Sequence, residues 1–284
     1  MNDMLALAKR NVLCYFRDRS SVFFSLMSVI IVILLYLLFL RDMLISANPP
    51  IDGMDRLVDA WVLSGILGII PVTTCAGALQ TMVEDRVNGR DRDVLVTPMK
   101  ASAIAGGYII STFIVGMAMS AIALVLSVAY LGMTGCPLSV AGVLTTVVLM
   151  IPSALSGSII MYAITSHLRS TGAFSGLFVT MSVLIGFLAG IYMPMGTMPE
   201  GMQIVGMLVP ASHMASLFRQ SLAGEALNDV FSGAPSEMVE SFRTDMGFDI
   251  SLMGFEFDPF TSMVFVLAVT ALFFIIAVMG IRRR

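Results

Sequence analysis

The sequence predicts an all-α integral membrane protein with six transmembrane helices, and two observations carry that prediction. Of 284 residues, 57% are hydrophobic and only 12% charged, about half the charged share of a soluble domain. The charged residues also cut the chain into uncharged stretches at 20–40, 60–83, 101–168, 170–199 and 259–281. A helix needs roughly 20 residues to cross about 30 Å of hydrocarbon, so each stretch can cross at least once. The net charge of −3 decides little, and nothing in the chain points to nucleic acid.

The N-terminus precedes the first crossing as an amphipathic segment. Met4, Leu5, Ala8, Val12, Tyr15 and Phe16 share one side of a helical wheel, with Arg10, Asn11, Arg17 and Asp18 opposite and Leu7 and Cys14 as exceptions. That pattern predicts a helix lying in the membrane interface, and an ordinary basic flank that only sets topology predicts the same location. The first crossing falls near 22–40. It is too long for a signal-peptide core and is followed directly by Arg41 and Asp42, so it reads as a permanent span. The second falls near 60–82.

The stretch 101–168 holds two crossings, near 103–131 and 139–164. They are separated by Gly132-Met133-Thr134-Gly135-Cys136-Pro137, whose glycines and proline interrupt a helix and make a turn. The fifth lies near 172–191 and the sixth near 260–281. Between them, 192–258 reads as an external loop or small subdomain, with eight acids from Glu225 to Asp258 against one base, Arg243.

Orientation follows from the basic residues, which are retained on the cytoplasmic side. Twelve of the sixteen lie in the N-terminus (Lys9, Arg10, Arg17, Arg19), the loop after the second crossing (Arg86, Arg90, Arg92, Lys100), at Arg169 and in the tail (Arg282, Arg283, Arg284). Thirteen of the nineteen acids fall in the loops on the other side. Both termini are therefore expected in the cytoplasm.

The stretch Glu84-Asp85-Arg86-Val87-Asn88-Gly89-Arg90-Asp91-Arg92-Asp93-Val94-Leu95-Val96-Thr97-Pro98-Met99-Lys100 carries eight charges of both signs, with apolar residues and a Thr-Pro stop following the first seven. Such a segment makes a short surface helix suited to salt-bridged docking on a soluble protein; a solvated loop would carry the same charges. Its pattern resembles the cytoplasmic loop of ABC-2 type permeases, the membrane subunits of a class of ATP-binding-cassette transporters. The matching positions are Glu84, Asp85, Arg86, Gly89, Asp93, Leu95, Thr97 and Pro98. The resemblance extends to the basic N-terminus, the six crossings and the series Gly190, Pro194, Pro199, Pro210 and Arg219, which in the family leads into short re-entrant or external helices. The chain departs from the family in reading Glu-Asp-Arg where Glu-Arg-Glu is usual, and in a longer, more acidic outer region.

The resemblance implies a transport subunit with no catalytic residues of its own, paired with a second permease subunit, identical or not. ATP and magnesium would be bound by a separate ATPase partner, and the chain would sit in the plasma membrane. It also implies a coupling helix between the second and third crossings. Glu84, Asp85, Arg86, Gly89, Arg92, Asp93, Thr97 and Pro98 would contact the ATPase there, joined by His167 and Arg169 from the next inner loop. The cargo implied is hydrophobic or amphipathic: a drug, an antibiotic, a peptide or a lipid.

The assigned crossings contain no Asp, Glu, Lys or Arg, the groups that ion-coupled carriers hold near midplane. That weighs against the alternative, an ion-coupled or passive carrier or channel with no ATPase. No GxxxxGK[ST] loop is present either, so ATP binding is not expected on this chain. A lipid-modifying enzyme would need clustered His, Asp or Cys, whereas His167 and His213 stand far apart and Cys14, Cys75 and Cys136 form no CxxC pair. Pro71 and Pro152 predict kinks, and Gly172xxxGly176 with Gly186xxxGly190 permit close helix packing.

Overall fold

The computed structural model describes residues 2–48, 50–90, 99–252 and 255–282. The chain opens with α1 (Asn2–Arg17), whose Asp3 and Arg17 complement the helix dipole at its two ends. Then α2 (Arg19–Leu35), a π turn (Tyr36–Leu40) and α3 (Arg41–Ala47) follow one another without a gap. Next come α4 (Met54–Ala78) and α5 (Gln80–Val87), with Leu79 as the single residue between them. Three further helices are α6 (Ala101–Met133), α7 (Val140–Thr165) and α8 (Thr171–Leu188).

The expected turn at 132–137 separates α6 from α7. Ser139 and Ser170 cap α7 and α8 by accepting from the amides of Gly142 and Ala173. Beyond α8 the chain forms α9 (Glu200–Met207), α10 (Pro210–Phe218), a π turn (Arg219–Ala223) and α11 (Gly224–Val230). It continues as α12 (Ser236–Asp245), an antiparallel ribbon of β1 (Ile250–Leu252) and β2 (Phe255–Phe257), and α13 (Pro259–Arg282). The small ribbon was not part of the helical expectation.

Among the described residues, five helices are individually long and apolar enough to cross a membrane: Met54–Val87, Ala101–Met133, Val140–Thr165, Thr171–Leu188 and Pro259–Met279. The first expected crossing falls on α2 and the π turn. With 17 residues, α2 alone is short and gains length only by running on into α3. The second helix is longer than the charge-free limits of 60–82 predicted, because the charges at its ends are neutralised by partners instead of ending it.

Central in the bundle is the α4–α5 helix: 78% of its most apolar stretch is buried, against 17% for α8 and 22% for α13. Its core layers include Leu57, Trp61, Leu63 and Leu67, which pack with Phe218 and Phe248. At the other end Leu79, Met82 and Val83 meet Leu7 of α1, Tyr162 of α7 and Ala277 of α13. The packing thus brings both ends of the chain to one pole, which carries most of the basic residues. The opposite pole carries most of the acids.

Small residues bring the helices together. A Cβ at Gly68 would stand 2.8 Å from the Cα of Ala215, so α10 approaches the backbone of α4 as only glycine permits. Gly107 does the same for α1, where a Cβ would meet Leu7 at 2.9 Å. The face of α1 that packs is accordingly Leu7, Ala8, Asn11 and Tyr15, with Leu5 and Phe16 exposed. This corrects the expected stripe: Leu7 is central to it, because the glycine pair on α6 and not the mean wheel direction selects the buried side.

The region 192–258 is also not simply an external domain. Residues 200–230 form a helix pair bent by 87°, whose Ala211, Met214, Ala215 and Phe218 lie in the main core with α4. Proline initiates both arms, with Pro199 before α9 and Pro210 at the first turn of α10. The segment enters because Gly190 ends α8 in a left-handed conformation, φ 67°, which turns the chain back.

Candidate functional site

At the basic pole three separate stretches are tied together. The Asp85 carboxylate, on α5, is 3% exposed and accepts a 2.6 Å hydrogen bond from the Arg10 guanidinium of α1. Arg90 stands 3.9 Å from its other oxygen. The next residue, Arg86, donates to the carbonyls of Ser166 at 3.0 Å and Leu168 at 2.6 Å, in the loop between α7 and α8. The hydrogen bond to Asp85 raises the Arg10 pKa above its ordinary value against the opposing pull of burial, so the guanidinium stays charged throughout the physiological range.

These contacts revise the roles expected of the charged segment. Glu84 to Val87 are not a detached surface helix but the inner end of the second crossing. Asp85 is buried and paired with Arg10 inside the subunit, not exposed as a direct partner contact requires. Arg86 is likewise turned inward, onto the α7–α8 loop. Glu84 accepts from Gln80 at 2.7 Å, on the same helix. Gly89 ends α5 with φ 72° and open space around it. Arg92, Asp93, Leu95, Thr97 and Pro98 lie outside the described residues.

The exposed rim of this pole is made by Val87, Asn88 and Arg90 beside His167 and Arg169. His167 lies against the Ala163 carbonyl at 2.8 Å through Nδ1, which leaves its other ring nitrogen outward. Together they present an apolar side chain, two cations and hydrogen-bonding groups to the surroundings. Among the described residues no three His, Cys, Asp or Glu side chains converge to hold a metal.

Sequence reasoning missed the polar groups buried near the acidic pole. Asp59 is fully buried; it accepts from Tyr36 Oη at 2.7 Å and from Arg41 at 2.8 and 3.2 Å. Arg219 is 1% exposed and donates to the carbonyls of Gly190 at 2.6 Å, Gly247 at 3.2 Å and Ala189 at 3.3 Å. His213, expected outside without a partner, is buried and contacts Ser262 and the Met207 carbonyl. One signal was available: Arg219 is the only charged residue between Glu200 and Glu225, an interval too apolar to be a solvated loop.

The fold defines a multi-pass membrane subunit built around one central helix that runs from the exposed rim at Val87 to the opposite pole. More particularly, the chain belongs to the ABC-2 type transporter family, whose family model matches residues 2–223, from α1 through the second π turn. No curated protein matches it. Membership makes the chain the membrane component of an ABC-type transporter and implies an ABC ATPase as its partner.

Proposed function

We propose that this chain is the membrane subunit of an ATP-driven exporter of a hydrophobic or amphipathic compound. In this reading it sits in the plasma membrane with both termini cytoplasmic. It pairs with a second permease subunit, identical or related, and cargo passes between the two. ATP and magnesium are held by the ATPase, which docks on the basic pole, and residues 192–258 face outward.

The observation that carries the reading is the bracing of α5 by Arg10–Asp85 on one side and Arg86–Ser166/Leu168 on the other. A load applied to the rim at Val87, Asn88, Arg90, His167 and Arg169 would reach α1, the α7–α8 loop and the central helix together. A single-residue joint at Leu79 would pass it into α4, whose far end supports Trp61 and the bent helix pair. The partner-facing cations of this mechanism are Arg90 and Arg169; Arg92 and Asp93, the further contacts expected from the sequence, lie outside the described residues.

The test separates bracing from docking. R90E/R169E should weaken binding of the ATPase, whereas R86A should leave the complex assembled but reduce cargo-dependent ATP hydrolysis and export. Normal export by both variants would contradict the proposal.

A further inference from the structure

Near the acidic pole, a cavity of about 760 Å³ opens between three stretches of chain. One wall is the outer end of the first crossing, at Met43. A second is the segment after α8, at Tyr192 and Met193. The third is α12, with Met238, Glu237 and Asp245. The volume lies in the range of small-molecule sites, roughly 300–1,000 Å³. Met43, Met193 and Met238 are 58%, 40% and 43% exposed, so flexible thioethers line a space that no side chain of the described chain fills.

The charge of this cavity has one sign. Neither Glu237 nor Asp245 enters an ion pair among the described residues, and the cavity lining contains no base. The nearest cation in sequence, Arg243, is occupied by both oxygens of Asp249, at 2.5 and 2.7 Å. Gly196 brings the segment after α8 against Asp245, where a Cβ would collide with the carboxylate. The aromatic rings of Tyr192, Phe231 and Phe242 complete the lining. An apolar and aromatic lining with two carboxylates that lack an ion-pair partner among the described residues complements an amphiphilic organic cation, drawn by charge and by apolar contact. An anion or a second acidic surface is disfavoured by the same groups.

The geometry points to a binding site for a lipophilic organic cation in this cavity, whose two carboxylates stand on α12, beyond the stretch that matches the family. As the place where cargo is held on the outer side it rests on the export reading, whereas the binding itself does not.

The experiment uses the full chain in phosphatidylcholine nanodiscs, without ATPase or ATP, and radiolabelled tetraphenylphosphonium as the probe. The expected result is saturable binding, weakened about tenfold or more by E237Q/D245N. E240Q, an exposed change on the same helix outside the cavity, should leave it unaltered. Tetraphenylborate, of matching shape and opposite charge, should not compete. No saturable binding, equal competition by tetraphenylborate, an unchanged E237Q/D245N affinity or an equal loss in E240Q would each overturn the site. Because no ATPase is present, such a failure leaves the export reading untouched, and a failure of ATPase docking leaves the site untouched.

Discussion

The guanidinium carbon of Arg219 lies 4.6 Å from the centroid of the Trp61 ring, and the indole Nε1 of Trp61 donates to the Met246 carbonyl at 2.5 Å. Arg219 enters no ion pair among the described residues. Its charge is met by the ring face and by three carbonyls, which belong to the break after α8 and to the segment before the ribbon. The two side chains therefore fasten the central helix to the bent pair and to the outer segment.

Replacing Arg219 by Met fills the space but leaves those carbonyls without donors. Each buried unsatisfied group costs about 1–3 kcal/mol, so R219M is expected to lose roughly 3–5 kcal/mol and R219K less. Thermal unfolding of the purified chain in detergent measures this. An R219M midpoint equal to that of the unaltered protein would show that water or neighbouring amides satisfy the carbonyls.

The Arg41–Asp59 pair should behave as a unit. Removing one partner of a buried pair costs about 3–5 kcal/mol, because the other is left charged and unpaired. R41M, which leaves the buried Asp59 with Tyr36 alone, is expected to destabilise strongly; D59L costs less because Arg41 is 27% exposed and keeps Asp55 at 3.6 Å, and the R41M/D59L double variant costs less than the sum of the two. Additive losses in a double-mutant cycle would mean that Asp59 is stabilised mainly by Tyr36.

Asp258 caps α13 by accepting from the amide of Thr261 at 2.8 Å and from its hydroxyl. Those hydrogen bonds hold its pKa below the ordinary carboxylate value. A depressed folded pKa contributes stability that is present above the unfolded value, about 3.9, and is lost as pH falls through the folded one. Hydrogen exchange at the first turn of α13 should therefore stay slow at neutral pH and quicken only below about pH 4. D258N should cap at all pH values and abolish that acid-induced change.

Five of the six expected crossings, from the second onward, were legible because bilayer thickness imposes a length and because charge ends an uncharged run visibly. The turn at 132–137 was legible for a similar reason, since glycine and proline act locally. Hidden features depend on partners distant in sequence. Asp85 reads as a surface charge until Arg10, 75 positions away, is brought beside it. Asp59 and Arg219 read as outside charges because the positive-inside rule counts residues without knowing which of them fold back into the core. The packing face of α1 was misplaced since it depends on two glycines of α6, beyond any periodicity within α1 itself. Of the expected contact residues, Arg90, His167 and Arg169 are exposed, whereas Asp85 and Arg86 face inward.

Bracing at the basic pole carries a further expectation. R10E places an anion against the buried Asp85 carboxylate and should release α1 from α5, whereas the exchange R10E/D85R should restore part of the loss. Protease sensitivity of α1 and cargo-dependent ATP hydrolysis would report the two consequences separately. Full activity in R10E would show that α1 is only an anchor.

The most direct measurement is purification of the full chain in mild detergent from cells expressing its natural complement of proteins, with identification of what accompanies it and an ATPase assay. The account predicts a stoichiometric ATP-binding subunit, retained by the unaltered chain and by R86A but lost from R90E/R169E. A clean preparation with no ATP-binding subunit, or one held equally by R90E/R169E, would contradict docking at the basic pole.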